Sequence, residues 1–468
     1  MKDSNNFGFK YSIEGNKQTE IEAMTNQDFE VKSLGECTVT SPLYTAYKNT
    51  PMAEGLFVDN DDRILYDPTL EGFKKCLKEG TDPITFEKAG PREKIFFSPS
   101  NTKAAIVTCG GLCPGINNVI RSVVNGLYYR YNIKNIVGIP YGYEGLIPEF
   151  GHEWVDLTPE KVKDIHMFGG SILGSSRGRQ NIERMVDTLE RNNIKMLFTI
   201  GGDGTLSGNH VIQEEIERRG LKIATAGIPK TIDNDVNFIH KTFGFETAFT
   251  TAAPIIRDAH NEATGAYNGV AIVKVMGRDS GFIAANAALA MPDVNFVLVP
   301  ESEFDLYGPN GFLESLKDRL VKGHHAVVVV AEGAGQNLFE DDQNVEKDAS
   351  GNIKHQDIGL LLKDSISKFF KDQNFEATVK YIDPSYIIRS EPAIAADSIF
   401  CSSLAMNAVH GVMAGKTDFV VGRWNMHFTF LPIPTATSSR KKIDLSGELW
   451  WSVLENTGQP YSMKNEEK

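Results

Sequence analysis

Residues 200–208, IGGDGTLSG, place one acid between glycines where an apolar run, LFTIGG, gives way to a helix-like stretch. An unpaired aspartate buried at such a junction would be costly, so Asp203 reads as a ligand for Mg2+ bridging nucleotide phosphates. The backbone of Gly202, Gly204 and Thr205 would cradle those phosphates. A second island, GIPKTIDNDV at 227–236, carries Asp233 and Asp235 after a strand-like run and a Pro-Lys-Thr turn. Alternate spacing in extended backbone points the two carboxylates to opposite sides. One can then take a proton from a substrate hydroxyl while the other supports the metal or orients its neighbour. In a third island, CGGLCPGINNVIR at 109–121, Gly110 and Gly111 let the backbone approach a ligand closely. The helix that begins after Pro114-Gly115 would offer unpaired N–H groups to a phosphate.

These islands need rigid elements to hold them, and from Ala104 onward the sequence supplies them. Apolar runs at 104–111, 135–140, 195–202, 222–229, 270–277, 295–301, 326–333 and 419–424 have the length and β-branching of buried strands. Helical periods lie between them. Ile116, Val119, Ile120, Val123, Val124 and Leu127 fall on one face of a helix. Apolar strands alternating with amphipathic helices predict α/β layering with largely parallel sheets. Residues 339–357, rich in acids with Gly, Ser and Asn, predict a solvated loop that interrupts the pattern. The segment PMAEGLFVDNDDRILYDP within the first 100 residues could supply short strands that pack on a neighbour.

Composition narrows the class. The chain has 468 residues, 41% of them hydrophobic, enough for a large core. With 48 Lys plus Arg against 61 Asp plus Glu, the formal charge of -13 leaves no basic footprint for a nucleic acid. No apolar run approaches the ~20 residues that span a bilayer. The polar N-terminus does not read as a signal peptide. Five scattered cysteines argue against a disulfide framework, and Cys109 and Cys113 have no nearby Cys/His cluster to complete a zinc site. A soluble, acidic, cytoplasmic protein is expected, with neither nucleic-acid nor membrane partners.

GGLCPGINNVIR, GGDGT, PKTIDND, KVMGRDSGF, VPES and AEGAG, in this order, resemble the phosphofructokinase family, most closely its long-chain ATP-dependent eukaryotic branch of plants and trypanosomatids. The resemblance covers about residues 100–455. GGDGT alone also occurs in NAD kinases and lipid kinases, but those leave PKTIDND, MGR and the AEGAG glutamate unexplained. A non-catalytic subunit of the same fold would be expected to have lost Asp203 or Asp233, and both are present.

The resemblance implies two Rossmann-like lobes with an N-terminal extension. Its boundaries are 1–100 for the extension, 101–240 for a nucleotide-binding lobe to which later segments return, 241–455 for a sugar-phosphate-binding lobe, and 456–468 for a tail. It further implies fructose 6-phosphate as acceptor, ATP and Mg2+ as donor and metal, allosteric control and a homotetramer. Gly111 and the Arg177-Gly178 pair would contact the nucleotide, with Gly202, Asp203, Gly204 and Thr205 on its phosphates and metal.

By the same resemblance Asp233 is the base for the sugar 1-hydroxyl, with Thr231 and Ile232 beside it on the substrate. Met276, Gly277, Arg278 and Glu332 would line the sugar site, with Lys380, Tyr386 and Arg389 near the sugar phosphate. Bacterial relatives carry an arginine where Lys380 stands, a histidine where Tyr386 stands and a further phosphate-binding arginine where Gly269 stands. Arg177 and Arg278, planar and permanently charged, suit a phosphoryl group. In this family an Asp in place of Gly204 accompanies pyrophosphate use. Lys230 is the type common in pyrophosphate users, and the long-chain ATP branch combines that lysine with this glycine, which favours ATP over pyrophosphate.

Overall fold

Two sheets organise the chain, whose computed structural model describes residues 24–339 and 354–465. Residues 340–353 of the acidic 339–357 stretch lie outside the described residues. All eight apolar runs singled out above form strands.

In the larger, nine-stranded sheet five neighbouring strands run parallel. Their spatial order is Asn135–Ile139, Lys103–Thr108, Met196–Gly201, Ala224–Pro229 and Phe419–Trp424. Numbered along the chain this is 2-1-3-4-5, a doubly wound order that reverses direction between the first strand and the third. Antiparallel strands widen both flanks: Val155–Asp156 on one, and His427–Pro432, Thr85–Lys88 and Arg63–Leu65 on the other. The largely parallel pairing therefore holds at the centre and yields at the margins. A tight turn joins Trp424 to His427, and only antiparallel strands can be joined that way.

The second sheet has four strands, all parallel, ordered Phe296–Leu298, His325–Ala331, Gly269–Val275 and Thr378–Ile382. Its strands thus come from the middle of the 241–455 segment, while Phe419–Trp424 and His427–Pro432 are later segments that return to the first sheet. Helix Ile116–Asn125 buries Ile116, Val119, Ile120, Val123 and Val124 and packs on helix Ala395–Met413.

The N-terminal extension is built into the larger sheet rather than hung beside it. Thr85–Lys88 pairs with His427–Pro432. Above the strands Phe29, Tyr66 and Phe86 from the extension meet Phe238 and Trp424 from the main body, and Tyr66 stacks on Trp424 at 5.2 Å. Buried Glu87 adds ion pairs to Arg92 at 3.0 Å and to Lys416 at 2.9 Å. Phe86 is fully buried with three ring partners beyond Phe29. Phe86→Ala should cost about 3–5 kcal/mol, read as a lowered midpoint in urea denaturation. An unchanged midpoint would mean that the extension is not part of the cooperative fold.

Candidate active site

Ligands of open α/β sheets bind outside the strand carboxyl ends at the point where strand order reverses. Here that point lies between Lys103–Thr108 and Met196–Gly201, and the loops leaving these strands are the Cys109-Gly110-Gly111 and Gly202-Asp203-Gly204 segments. Gly110 adopts a φ of +85° and its N–H donates to the Ser176 carbonyl at 3.0 Å, which ties the glycine loop to the segment bearing Arg177 and Gly178. A Cβ on Gly111 would lie 3.3 Å from Arg177 Nη2 and 3.6 Å from Arg389 Nη1. Both guanidinium groups therefore border this loop.

Gly202 is the N-cap of the 16-residue helix Asp203–Arg218, whose first turn holds Asp203, Gly204 and Thr205. Its free N–H groups and dipole favour an anion. A Cβ on Gly201 would strike the Thr205 side chain at 2.2 Å, whereas a Cβ on Gly204 would meet nothing within 4 Å. The first glycine is demanded by packing, and the other leaves open space. Burial raises the Asp203 carboxyl above its ordinary range; Arg440, with Nη2 3.6 Å from Oδ2, partly offsets this.

The buried ammonium of Lys230 donates to the Gly111 carbonyl at 2.6 Å, and burial lowers its pKa. Lys230 thereby locks the first loop to the third chemical island. In that island Thr231 Oγ1 accepts from the Asp233 N–H at 3.0 Å and donates to Asp235 Oδ1 at 3.1 Å. Asn234 adopts a φ of +56°, a conformation Asn tolerates, and its side chain accepts from the Thr242 N–H. Ile232 is buried.

Asp233 Oδ1 is buried and has no hydrogen-bond partner. Burial pushes the Asp233 carboxyl well up, the negative charges of Asp235 and Glu332 push it further, and Arg278 and Lys230 only partly oppose them. Such a carboxyl is a proton acceptor with its acceptor atom left free.

The second lobe brings its loops against these. Ser280 donates to the Asp233 carbonyl at 3.0 Å. Gly277 has a φ of +141° and Arg278 a φ of +46°, uncommon for a residue with a side chain. Two contacts hold it: the Arg278 N–H donates to Glu332 Oε1 at 3.1 Å, and a Cβ on Gly333 would lie 1.8 Å from the Arg278 carbonyl. The MGR and AEGAG loops thus interlock. Met276 packs on the main core. Glu301 of VPES accepts from the Gly281 and Ile443 N–H groups at 3.0 and 2.9 Å.

Two of the residues expected near the sugar phosphate, Lys380 and Tyr386, are not gathered into the crevice of the same chain. Lys380 lies mid-strand opposite Ala271, and its ammonium pairs with Glu262. Tyr386 is exposed, with the Arg389 guanidinium 4.6 Å over its ring. Arg389, expected near the sugar phosphate, borders the Gly111 loop. At Gly269 a Cβ would come within 2.1 Å of the Ala263 carbonyl, so no arginine could occupy that position without a backbone shift.

Three residues of the crevice carried no sequence signal. Asp279 lies 2.5 Å from Arg440 Nη1 and 3.2 Å from His355 Nε2, and the His355 ring is the first cause that keeps its carboxyl below the usual range. Arg440 sits in SSRKKID, which reads as an ordinary solvated basic turn.

Among the described residues no group of three or more His, Cys, Asp or Glu side chains could hold a metal ion. The crevice offers instead the half-buried carboxylate of Asp203 at a helix N-terminus. That fits Mg2+, which keeps waters and binds through one or two carboxylates together with substrate phosphates.

Comparison with known proteins bears on the chain as a whole. A chain from Borreliella burgdorferi named ATP-dependent 6-phosphofructokinase is 51% identical over 446 residues, covering 94% of this chain and 98% of its own. A protein of the same name from Entamoeba histolytica is 50% identical, covering 90% and 93%, and one from Trypanosoma brucei brucei is 42% identical, covering 93% and 88%. The long-chain pattern is therefore shared by bacterial as well as eukaryotic relatives. Among solved structures, a pyrophosphate-dependent phosphofructokinase from Marinobacter aquaeolei has the same fold, with a TM-score of 0.61 at 20% identity over 78% of this chain and 94% of that one. The family profile described as Phosphofructokinase matches residues 103–412. With most of the crevice drawn from that same stretch of sequence, the chain belongs to the phosphofructokinase family.

Proposed function

We propose that this protein transfers the γ-phosphoryl group of ATP to the 1-hydroxyl of fructose 6-phosphate, forming fructose 1,6-bisphosphate and ADP. The observation that carries the reading is the free, buried Oδ1 of Asp233, raised in pKa and set between the donor loops of one lobe and the MGR and AEGAG loops of the other. Asp233 accepts the hydroxyl proton as the oxygen attacks phosphorus. Thr231 and Ile232 shape the wall beside it, and Met276, Gly277, Arg278 and Glu332 bound the sugar. Gly111, Arg177, Gly178, Gly202, Gly204, Thr205 and Lys230 bound the nucleotide, and Asp203 would hold Mg2+, which supplies neutralising charge to the phosphates. Phosphoryl transfer asks for positioning and charge, and the crevice provides these.

The donor is tested by assaying fructose 6-phosphate with ATP and with pyrophosphate at matched Mg2+. Turnover with ATP is expected, and turnover with pyrophosphate alone would overturn the assignment. The working assembly is a homotetramer. Met167, Phe168, Ile172 and Ile399 are exposed apolar residues on neighbouring segments, and Lys380, paired with Glu262, stands away from its own crevice where another copy could reach it. Light scattering on the eluted protein gives the mass directly. Among the described residues no helix is long and apolar enough to cross a membrane, and a glycolytic role places the enzyme in the cytoplasm.

The charges around Asp233 set a pH dependence. Burial first, and the neighbouring negative charges after it, raise the Asp233 carboxyl pKa, so the base is deprotonated only above a pH higher than for an ordinary aspartate. Activity should fall on acidification through that raised value. Removing one neighbouring charge with Glu332→Gln should move the acid limb of kcat to lower pH, even if the maximum also falls. A limb that stays in place would separate Glu332 from the proton-accepting group.

A further inference from the structure

Arg440 joins two acids that belong to different halves of the crevice. Its Nη2 lies 3.6 Å from Asp203 Oδ2, on the donor helix, and its Nη1 lies 2.5 Å from Asp279 Oδ2, in the loop that carries Arg278. The guanidinium is about one-quarter exposed, so it faces the crevice rather than bulk solvent. Its backbone is fixed on both sides. Arg440 forms an antiparallel bridge with Val236, the Lys441 N–H donates to the Asp235 carbonyl at 2.9 Å, and the buried Lys441 ammonium donates to the Ile239 and His240 carbonyls. Two residues on, the Ile443 N–H shares Glu301 Oε1 with the Gly281 N–H. Residues 440–443 therefore form a strap tied at once to the loop of the base, to the MGRDSG loop and to VPES. So many ties around one partly buried basic turn hold its cation between the loop of Asp203 and the loop of Arg278.

We propose that Arg440 is a catalytic residue that contacts the transferring phosphoryl group. This rests on the reading of the site as a phosphofructokinase centre. In the step, the bond between γ-phosphorus and the β,γ-bridging oxygen breaks and its electron pair leaves with ADP. A new bond forms from phosphorus to O1 of the sugar, and the O1 proton passes to Asp233. Charge spreads over the three equatorial phosphoryl oxygens as this happens. Asp203 is the carboxylate that the donor's Mg2+ would take. Arg440 would then be released from Asp203 while Asp279 kept its other nitrogen, and its planar donor fork could serve the phosphoryl oxygens. The same pairing keeps the two acids from repelling each other before the donor arrives.

Arg440→Gln should lower kcat by about 10²–10³-fold while the KM values for ATP and fructose 6-phosphate change by only a few-fold. A second arm reads binding rather than turnover. ADP, Mg2+ and aluminium fluoride with fructose 6-phosphate mimic the planar phosphoryl group, and the variant should bind that mimic at least 10²-fold more weakly while binding Mg2+-ADP nearly as well as wild type. Arg440→Lys should recover part of the kcat loss, since it restores charge without the fork. Wild-type turnover in Arg440→Gln would overturn the proposal. So would equal weakening of Mg2+-ADP and of the mimic together with a lowered melting temperature, the mark of a purely structural strap. Failure of the wild-type protein to phosphorylate fructose 6-phosphate would count against the functional reading instead, and the Mg2+-ADP-aluminium fluoride comparison without sugar would still report on Arg440.

Discussion

Replacing Asp233 with Asn should reduce kcat by about 10²–10⁴-fold, the span that a positioned general base contributes. The side chain keeps its shape, so substrate affinities should stay near wild type and the loss should fall on kcat. The same change should leave the protein as stable or more stable at neutral pH. A carboxyl whose folded pKa is raised above its unfolded value binds its proton more tightly when folded. Its contribution is therefore most favourable below the unfolded pKa and is progressively lost as pH rises through the folded value. A neutral amide removes that pH-dependent cost. Lower activity with an equal or higher melting temperature, measured at pH 7 and again near pH 5, is the expected pair. The stability gain should shrink at the lower pH. A variant that keeps wild-type turnover would remove Asp233 from proton transfer, and one that loses both activity and stability would point to a structural role.

Gly204→Asp should discriminate between donors as strongly. In the first turn of helix Asp203–Arg218 a Cβ at 204 meets nothing within 4 Å, so the substitution needs no rearrangement. An acid in the first turn is itself compatible with the helix dipole, worth about 0.3–1 kcal/mol. The fold should therefore persist. The new carboxylate would nonetheless stand beside Asp203 in the space left for the nucleotide, where it would crowd and repel the α-phosphate. An unscreened like charge about 4 Å away costs about 4 kcal/mol at an effective dielectric of 20. With partial screening this leaves about a 10²-fold rise in KM for ATP. Pyrophosphate, which has no α-phosphate or nucleoside, should be penalised far less. Unchanged ATP kinetics would mean that Gly204 does not set the donor.

Much of this was legible in the sequence because the chemistry sits in short local segments. GGDGT, PKTIDND and MGR each follow an apolar run, and a strand followed by a glycine-bearing loop places a residue at a sheet edge wherever the sheet lies in the fold. Element types along residues 104–333 follow from that rule, as does the place of Asp203 in the first turn of a helix. Segments whose placement depends on long-range pairing were less legible. The strand at 63–65 falls within the segment expected to supply short strands, whereas the strand at 85–88 lies outside it, and both are short. They exist as strands because His427–Pro432 offers an edge and Phe238 and Trp424 offer a surface.

The site divides along the same line. Sequence alone determined which residues could hold phosphate, metal and proton, since residue type and loop context fix that chemistry. Only the tertiary structure decided which of them meet. It paired Lys230 with Gly111, brought Arg389 to the glycine loop and left Lys380 on Glu262. It also set Arg440, some 240 positions beyond Asp203 in the chain, against that carboxylate. The physical reason is the doubly wound order. The hairpin of Phe419–Trp424 and His427–Pro432 returns to the first sheet, and the chain leaving that hairpin is tied first to Asp235 and then to Glu301. A basic turn that looks like solvated surface in one dimension is thereby held between two acids in three.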